Sequence, residues 1–141
     1  MITIVDSSVA VKWYSAEPDS LIAGRLLGRP LAAPDLIRIE VANALRRKVA
    51  RHEMKAAQAV EALPHLARNV TLFRAEPFAE MALEVSLELA HPIHDCFFLI
   101  LAQTLEFPLV TADEKLWKRT RDSLFADLVI MLSEWEPNDE R

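Results

Sequence analysis

Glycine is scarce in this chain of 141 residues: there are two, Gly24 and Gly28. A glycine-rich loop that cradles phosphates needs more than that, so nucleotide-binding loops of this kind are excluded. Cysteine occurs once, at Cys96. A single cysteine rules out an intramolecular disulfide and any multi-cysteine metal site. Its place in the apolar run CFFLILA reads as core and suits a reducing compartment. That run is the longest apolar one and is far too short to span a bilayer. The opening MITIVDSS has no basic segment and meets an acid at Asp6, so no signal peptide is evident. Positive charge is also in deficit: the formal net charge is -5, which argues against a bulk nucleic-acid binder. The expectation is a soluble, cytoplasmic protein with no membrane segment.

Apolar residues, at 52%, are plentiful enough to argue against disorder. The length fits one domain over residues 1–141 with a sizeable core and a polar tail from about residue 133. Charge is unevenly spread. Nine of the sixteen basic residues lie between Lys12 and Lys55, whereas residues 61–106 hold seven acids and two arginines. A local basic face on an acidic protein is therefore expected.

Short β-branched and apolar runs alternate with helical periodicity. ITIV (2–5), LAA (31–33), VTLF (70–73), the run in PLVTAD and DLVIML (127–132) read as strands. Helices are expected in SVAVKWY, in EPDSLIAGRLLG up to Gly28, over 36–53, over 55–69 with a kink or break at Pro64, over 77–90, and after the turn in HPIHDCFFLILAQTLE. The strands are apolar throughout rather than alternating. That is the pattern of a mostly parallel sheet covered on both faces, an α/β fold. There is no internal repeat and no linker long enough to separate two domains.

In open parallel sheets, function gathers beyond the carboxyl ends of the strands. Asp6 follows ITIV there, and Asp113 follows LVT. Each would also serve as a helix N-cap or first-turn acid. Glu40 interrupts LIRIEVANAL. At about 100° per residue it shares a helical stripe with Asn43, Ala44, Arg47 and Arg51, while Leu36, Ile39 and Val49 are left to find core elsewhere. Asp95 heads the apolar helix CFFLILA, so it sits near other buried structure, and a buried acid must be neutralised or paired. Four such carboxylates suit a hard cation, Mg²⁺ or Mn²⁺, with water completing the shell.

Four stretches resemble PIN-domain proteins, in particular the VapC type of toxin ribonuclease. They are VDSSVAVKW with Asp6, IEVANALRR with Glu40, Asn43 and Leu45, HPIHDCFFLILA with Asp95, and LVTADEKL with Thr111 and Asp113. They occur in the family's order, and the likeness runs from residue 1 to about 131. The resemblance implies a five-stranded parallel sheet with helices on both sides, and an acidic pocket holding one or two Mg²⁺ or Mn²⁺ ions. It also implies metal-dependent cleavage of RNA, a VapB-like antitoxin partner that blocks the pocket, and a homodimer.

On that basis Asp6 and Asp95 are expected as direct metal ligands, and Asp113 as a direct or water-mediated one. Glu40 is expected to act through water, or as a base if its neighbours raise its pKa. Ser7 or Ser8 and Thr111 would donate hydrogen bonds to the acids, and Asn43 would support Glu40 or touch a phosphate. Arg47 and Arg51 would line an RNA groove. Glu114 is expected to point away from the pocket. A zinc site at His91 and His94 is the weaker reading; His94 is expected near the pocket, and His52 and His65 at the surface. Trp135 is expected to anchor the tail. The alternatives are a PIN-type nuclease with a housekeeping RNA role and no antitoxin, and a non-catalytic RNA- or protein-binding module. A phosphatase-like domain would place a lysine after a later strand, and none follows a strand as closely as Asp113 does.

Overall fold

The computed structural model describes residues 1–137; the end of the expected polar tail lies outside the described residues. Five strands form one sheet: β1 (Thr3–Val5), β2 (Leu31–Pro34), β3 (Thr71–Phe73), β4 (Leu109–Thr111) and β5 (Val129–Met131). All pairings are parallel, in the order β3-β2-β1-β4-β5. The helices are α1 (Ser7–Ala10), α2 (Ser20–Gly24), α3 (Ile37–Ala50), α4 (Ala56–Asn69), α5 (Ala79–Leu89), α6 (Ile93–Leu105) and α7 (Glu114–Thr120). The α/β expectation holds, with every strand parallel rather than most.

The strand order makes β1 and β4 the switch point. The chain leaves β1 toward β2 and β3, then returns to lay β4 on the other side of β1. Right-handed crossovers place α1–α4 on one face and α5–α7 on the other. Apolar strands follow from that double covering: Ile4, Val5, Ala32, Ala33, Leu109 and Val110 are fully buried. Helix α6 crosses β1, β2 and β4. It carries Phe98, Leu99 and Leu101 into the core, each side chain worth about 1.5–3 kcal/mol of burial. This packing fixes the first turn of α6, and with it Asp95, above the strand ends.

Several local expectations are corrected. Helix α4 runs through Pro64 without a break. The proline removes the hydrogen bond to the Val60 carbonyl, and Val60 sits on the exposed side of the helix, open to solvent. Helix α2 ends at Gly24, and the turn that follows closes at Gly28 with φ 89°. Residues 114–120 form a further helix, with Asp113 as its N-cap. On α3 the core positions are Ile37, Val41 and Leu45, while Ile39 is 75% exposed. His65 is not a free surface residue: its ring nitrogen shares a hydrogen bond of 2.8 Å with the Tyr14 hydroxyl. Trp135 is buried, as expected, with the Arg29 guanidinium over its ring. No single helix among the described residues is long and apolar enough to cross a membrane.

Candidate active site at the sheet switch point

Register places the first acid. Val5 pairs with Val110, so the next residue on each strand, Asp6 and Thr111, stand side by side. The Thr111 hydroxyl donates to Asp6 Oδ2. Ser8 Oγ donates to Asp6 Oδ1 at 2.5 Å, and the Val9 amide donates to the same oxygen at 3.3 Å. Asp6 is thus the N-cap of α1 as well as a site acid. The two hydroxyls are fixed in turn: the Ala112 amide donates to Ser8 Oγ and the Asp113 amide to Thr111 Oγ1. Ser8, not Ser7, makes the contact with the acid, because only Ser8 lies over the Asp6 carboxyl; Ser7 lines the adjoining cleft. Burial pushes the Asp6 carboxyl up to about 6 against the two hydroxyl bonds, and the nearby Asp95 adds to the rise.

Glu40 stands in the first turn of α3. Its Oε1 is buried and has no hydrogen-bond partner. Burial, then the neighbouring charges of Asp95 and Asp6, push its carboxyl up to about 7. A buried polar atom left unpaired is a rare and costly arrangement, of order 1–3 kcal/mol. Asn43 does not supply the missing bond; its Oδ1 accepts from Arg46 Nε at 3.2 Å. The Glu40 stripe is otherwise as periodicity expects. Glu40, Asn43, Ala44, Arg47 and Arg51 all line one cleft of about 860 Å³, shared with Ser7, Ser8, Lys12 and His94.

Asp95 is held by a residue that sequence reasoning missed. His91 Nε2 lies 2.6 Å from Asp95 Oδ2, and the imidazole is nearly inaccessible. His91 precedes α6, beyond the left-handed Ala90, and its carbonyl accepts from Ser86 Oγ at 2.6 Å. The i, i+4 spacing of His91 and Asp95 in HPIHD is the available signal; as a sequence it reads as a zinc pair with His94. Burial raises the Asp95 carboxyl, the His91 bond opposes this, and the charge of Asp113 adds to the rise. Asp113 caps α7, accepting from the Lys115 amide at 2.9 Å. Asp95 and Asp113 line a second cleft of about 650 Å³ with His91, Lys115, Lys118 and Arg119. Glu114 points away, paired with Lys118 at 3.1 Å, as expected.

The acids therefore share one electrostatic neighbourhood, but Glu40 opens into one cleft, Asp95 and Asp113 into another, and the buried Asp6 lines neither. Among the described residues, no group of three or more His, Cys, Asp or Glu side chains is close enough to hold a metal ion as it stands. His91, one of the two zinc candidates, is paired instead with Asp95. The chemistry of the donor set still fits a magnesium-like cation, which needs only one or two carboxylates and keeps several waters. The unpartnered Oε1 of Glu40 and the carboxyls of Asp6, Glu40 and Asp95, each raised by burial and then by a neighbouring acid, mark a site short of positive charge.

The chain is an all-parallel α/β protein with four carboxyls near the switch point of its sheet, the place where open sheets of this kind bind ligands. The chain belongs to the PIN domain family: the family model matches residues 3–122. It is 32% identical over 120 residues to "Ribonuclease VapC1" of Mycobacterium tuberculosis, covering 80% of this chain and 86% of that protein. It is 30% identical over 115 residues to "Ribonuclease VapC12" of the same organism, covering 80% and 88%. The fold matches the crystal structure of PAE2754 from Pyrobaculum aerophilum with a TM-score of 0.73, at 19% identity, over 94% of this chain and 90% of that one.

Proposed function

We infer that the protein is a Mg²⁺- or Mn²⁺-dependent endoribonuclease, the cytoplasmic toxin of a toxin–antitoxin pair, held inactive by a VapB-like antitoxin and working as a homodimer. The observation that carries this reading is Glu40 Oε1, buried without a partner beside two further carboxyls that raise its pKa. The ribonuclease names of the VapC relatives support the choice of substrate.

Asp6, Asp95, Asp113 and Glu40 would hold the ion. When bound, it supplies the positive charge that lets these carboxyls ionise together and offsets charge growing on the phosphate. The chain's own groups do the rest. Ser8, Thr111 and the Val9 amide hold Asp6 in one orientation. His91 does the same for Asp95. Glu40, with a pKa of about 7, is matched to accept a proton at Oε1 from an attacking water near neutral pH. Attack in line at phosphorus leaves a 5'-phosphate and a 3'-hydroxyl and needs no 2'-hydroxyl. Exposed Arg47 and Arg51, one turn apart along the cleft, take RNA phosphates.

Two measurements test the reading. Purified protein incubated with cellular RNA should cut it in Mg²⁺ and leave it intact in EDTA. Expression of the chain should arrest growth, and co-expression of a small neighbouring antitoxin gene should restore it. Intact RNA in Mg²⁺ would refute the nuclease; cleavage without growth arrest would favour the housekeeping role.

A further inference from the structure

Two lysines that line the larger cleft do not reach into solvent: Lys48, on α3, and Lys12, which faces it from the turn after α1. Lys12 and Lys48 have side-chain exposures of only 11% and 18%. Lysine side chains ordinarily extend their ammonium groups to water, and holding one inward forfeits rotamer freedom. Here both ammonium groups turn to one carboxylate. Lys48 Nζ lies 3.1 Å from Glu17 Oε2, and Lys12 Nζ lies 3.9 Å from Glu17 Oε1. Lys12 also donates to the Pro18 carbonyl at 2.8 Å.

Glu17 is itself fixed. Ser15 Oγ donates to its Oε2 at 2.7 Å, its amide donates to Ser20 Oγ at 2.9 Å, and Ser20 Oγ donates to the Ser15 carbonyl. The segment 15–20 is thereby stitched into one conformation that presents Glu17 to α3. Partial burial works against the Glu17 carboxylate, but Ser15 and the lysines hold its pKa below the ordinary value, so it is ionised at neutral pH.

The charge balance of the two clefts then decides where a polyanion goes. The larger cleft has four cations, Lys12, Arg47, Lys48 and Arg51, against Glu17 and Glu40. The smaller has Lys115, Lys118 and Arg119 against Asp95, Asp113 and Asp122. Of these two clefts on a chain of net charge -5, the larger carries the cationic surplus. Glu53 reaches Lys48 at 3.8 Å, but it is half exposed and outside the cleft, where a single pair is worth little.

We propose that Lys12 and Lys48, held by Glu17, form a preset subsite for a backbone phosphate of the RNA flanking the scissile one. This rests on the ribonuclease reading and adds which side of the site grips the strand: the α3 side holds it, and the α7 side contributes no net attraction. Each lysine has N–H donors left after its Glu17 contact, and the stitched loop removes the need to order them on binding. Glu17 is a positioning residue: it keeps the ammonium groups in the wall and touches no substrate.

The test uses the full chain and a labelled single-stranded RNA. Binding is measured in Ca²⁺ across a salt series, and cleavage in Mg²⁺ gives KM and kcat. Lys12→Gln and Lys48→Gln should each raise Kd and KM about 3- to 10-fold, with kcat within about twofold. Each should flatten the slope of log affinity against log salt by about 0.7, the value for one phosphate contact on a single strand. Glu17→Gln keeps both cations in the cleft, so its slope should be as steep as wild type or steeper. Arg25→Met, an exposed cation outside the cleft, should change neither quantity. If the three residues are only a staple between the loop and α3, all three cleft variants lower the Tm alike and leave the salt slope at its wild-type value, which overturns the proposal. Should wild type bind RNA but fail to cut it, the nuclease reading falls, while the binding slopes in Ca²⁺ still decide the subsite.

Discussion

Replacing Asp6 by asparagine should stabilise the metal-free protein while abolishing its activity. Asp6 is 3% exposed, and its carboxyl stands at about 6 instead of 3.8. Ionising it in the fold is therefore disfavoured by about 3 kcal/mol relative to the unfolded chain. Asparagine has the same shape and no charge. Its carbonyl oxygen still accepts from the Val9 amide and one hydroxyl, and the other hydroxyl turns to accept from the new amide group. Allowing about half of the 3 kcal/mol for the weaker neutral hydrogen bonds leaves a gain of about 1–2 kcal/mol at pH 7. For a domain of this size that is a rise in Tm of about 3–8 °C. The assay is thermal unfolding in EDTA from pH 4.5 to 7.5, with RNA cleavage in Mg²⁺ alongside. If Asp6 were only a helix cap, asparagine would change stability by a few tenths of a kcal/mol and leave cleavage intact. A Tm unchanged or lowered at pH 7, with the wild-type dependence on pH, would refute the reasoning.

Further outcomes follow from the same site. Asp6 and Glu40 bind protons more tightly folded than unfolded, so their contribution to stability is complete below about pH 4. It is then lost as pH rises through about 6 and about 7, the folded values of the two groups. In EDTA the Tm should therefore fall over that window, and Mg²⁺ at about 100 times its Kd should return about 2.7 kcal/mol at pH 7.5; calorimetry in EDTA and Mg²⁺ reads both. His91→Ala should weaken Mn²⁺ binding about 10- to 100-fold by freeing Asp95, and His91→Gln, which keeps a donor, should recover most of it in a titration calorimeter. Arg47→Ala combined with Arg51→Ala should weaken RNA binding and flatten the salt slope by about 1.4, with kcat little changed; a wild-type slope would remove α3 from the RNA groove.

Much of the architecture was legible because burial on both faces leaves a direct mark on strands. ITIV and LVT carry no polar alternation, and that alone points to parallel strands under two helical layers. The α3 stripe was legible for a similar reason. Helical geometry is regular, so Glu40, Asn43, Ala44, Arg47 and Arg51 had to share a face, and they share a cleft. The same reasoning misjudged Ile39. An apolar residue beside a cleft can stay exposed, and periodicity does not say which side of a helix meets the sheet. The choice of Ser8 over Ser7 depended on the pairing of β1 with β4, a contact between residues about a hundred positions apart. The bond between His91 and Asp95 depended on the left-handed turn at Ala90, which breaks the helix before the pair and so removes the helical rule that would have linked them. The Lys12, Glu17 and Lys48 group joins a loop to a distant helix, and no local pattern encodes that meeting.

Cleavage of a defined RNA by purified wild type, Asp6→Asn and Asp95→Asn, each in Mg²⁺ and in EDTA, tests the central claim most directly. The account predicts cutting by wild type in Mg²⁺ alone, with 5'-phosphate ends. It predicts a loss of at least about a hundredfold in either variant, equivalent to about 2.7 kcal/mol of transition-state stabilisation, while both variants remain folded. Cutting that persists in EDTA, or that proceeds equally in wild type and both variants, would contradict it.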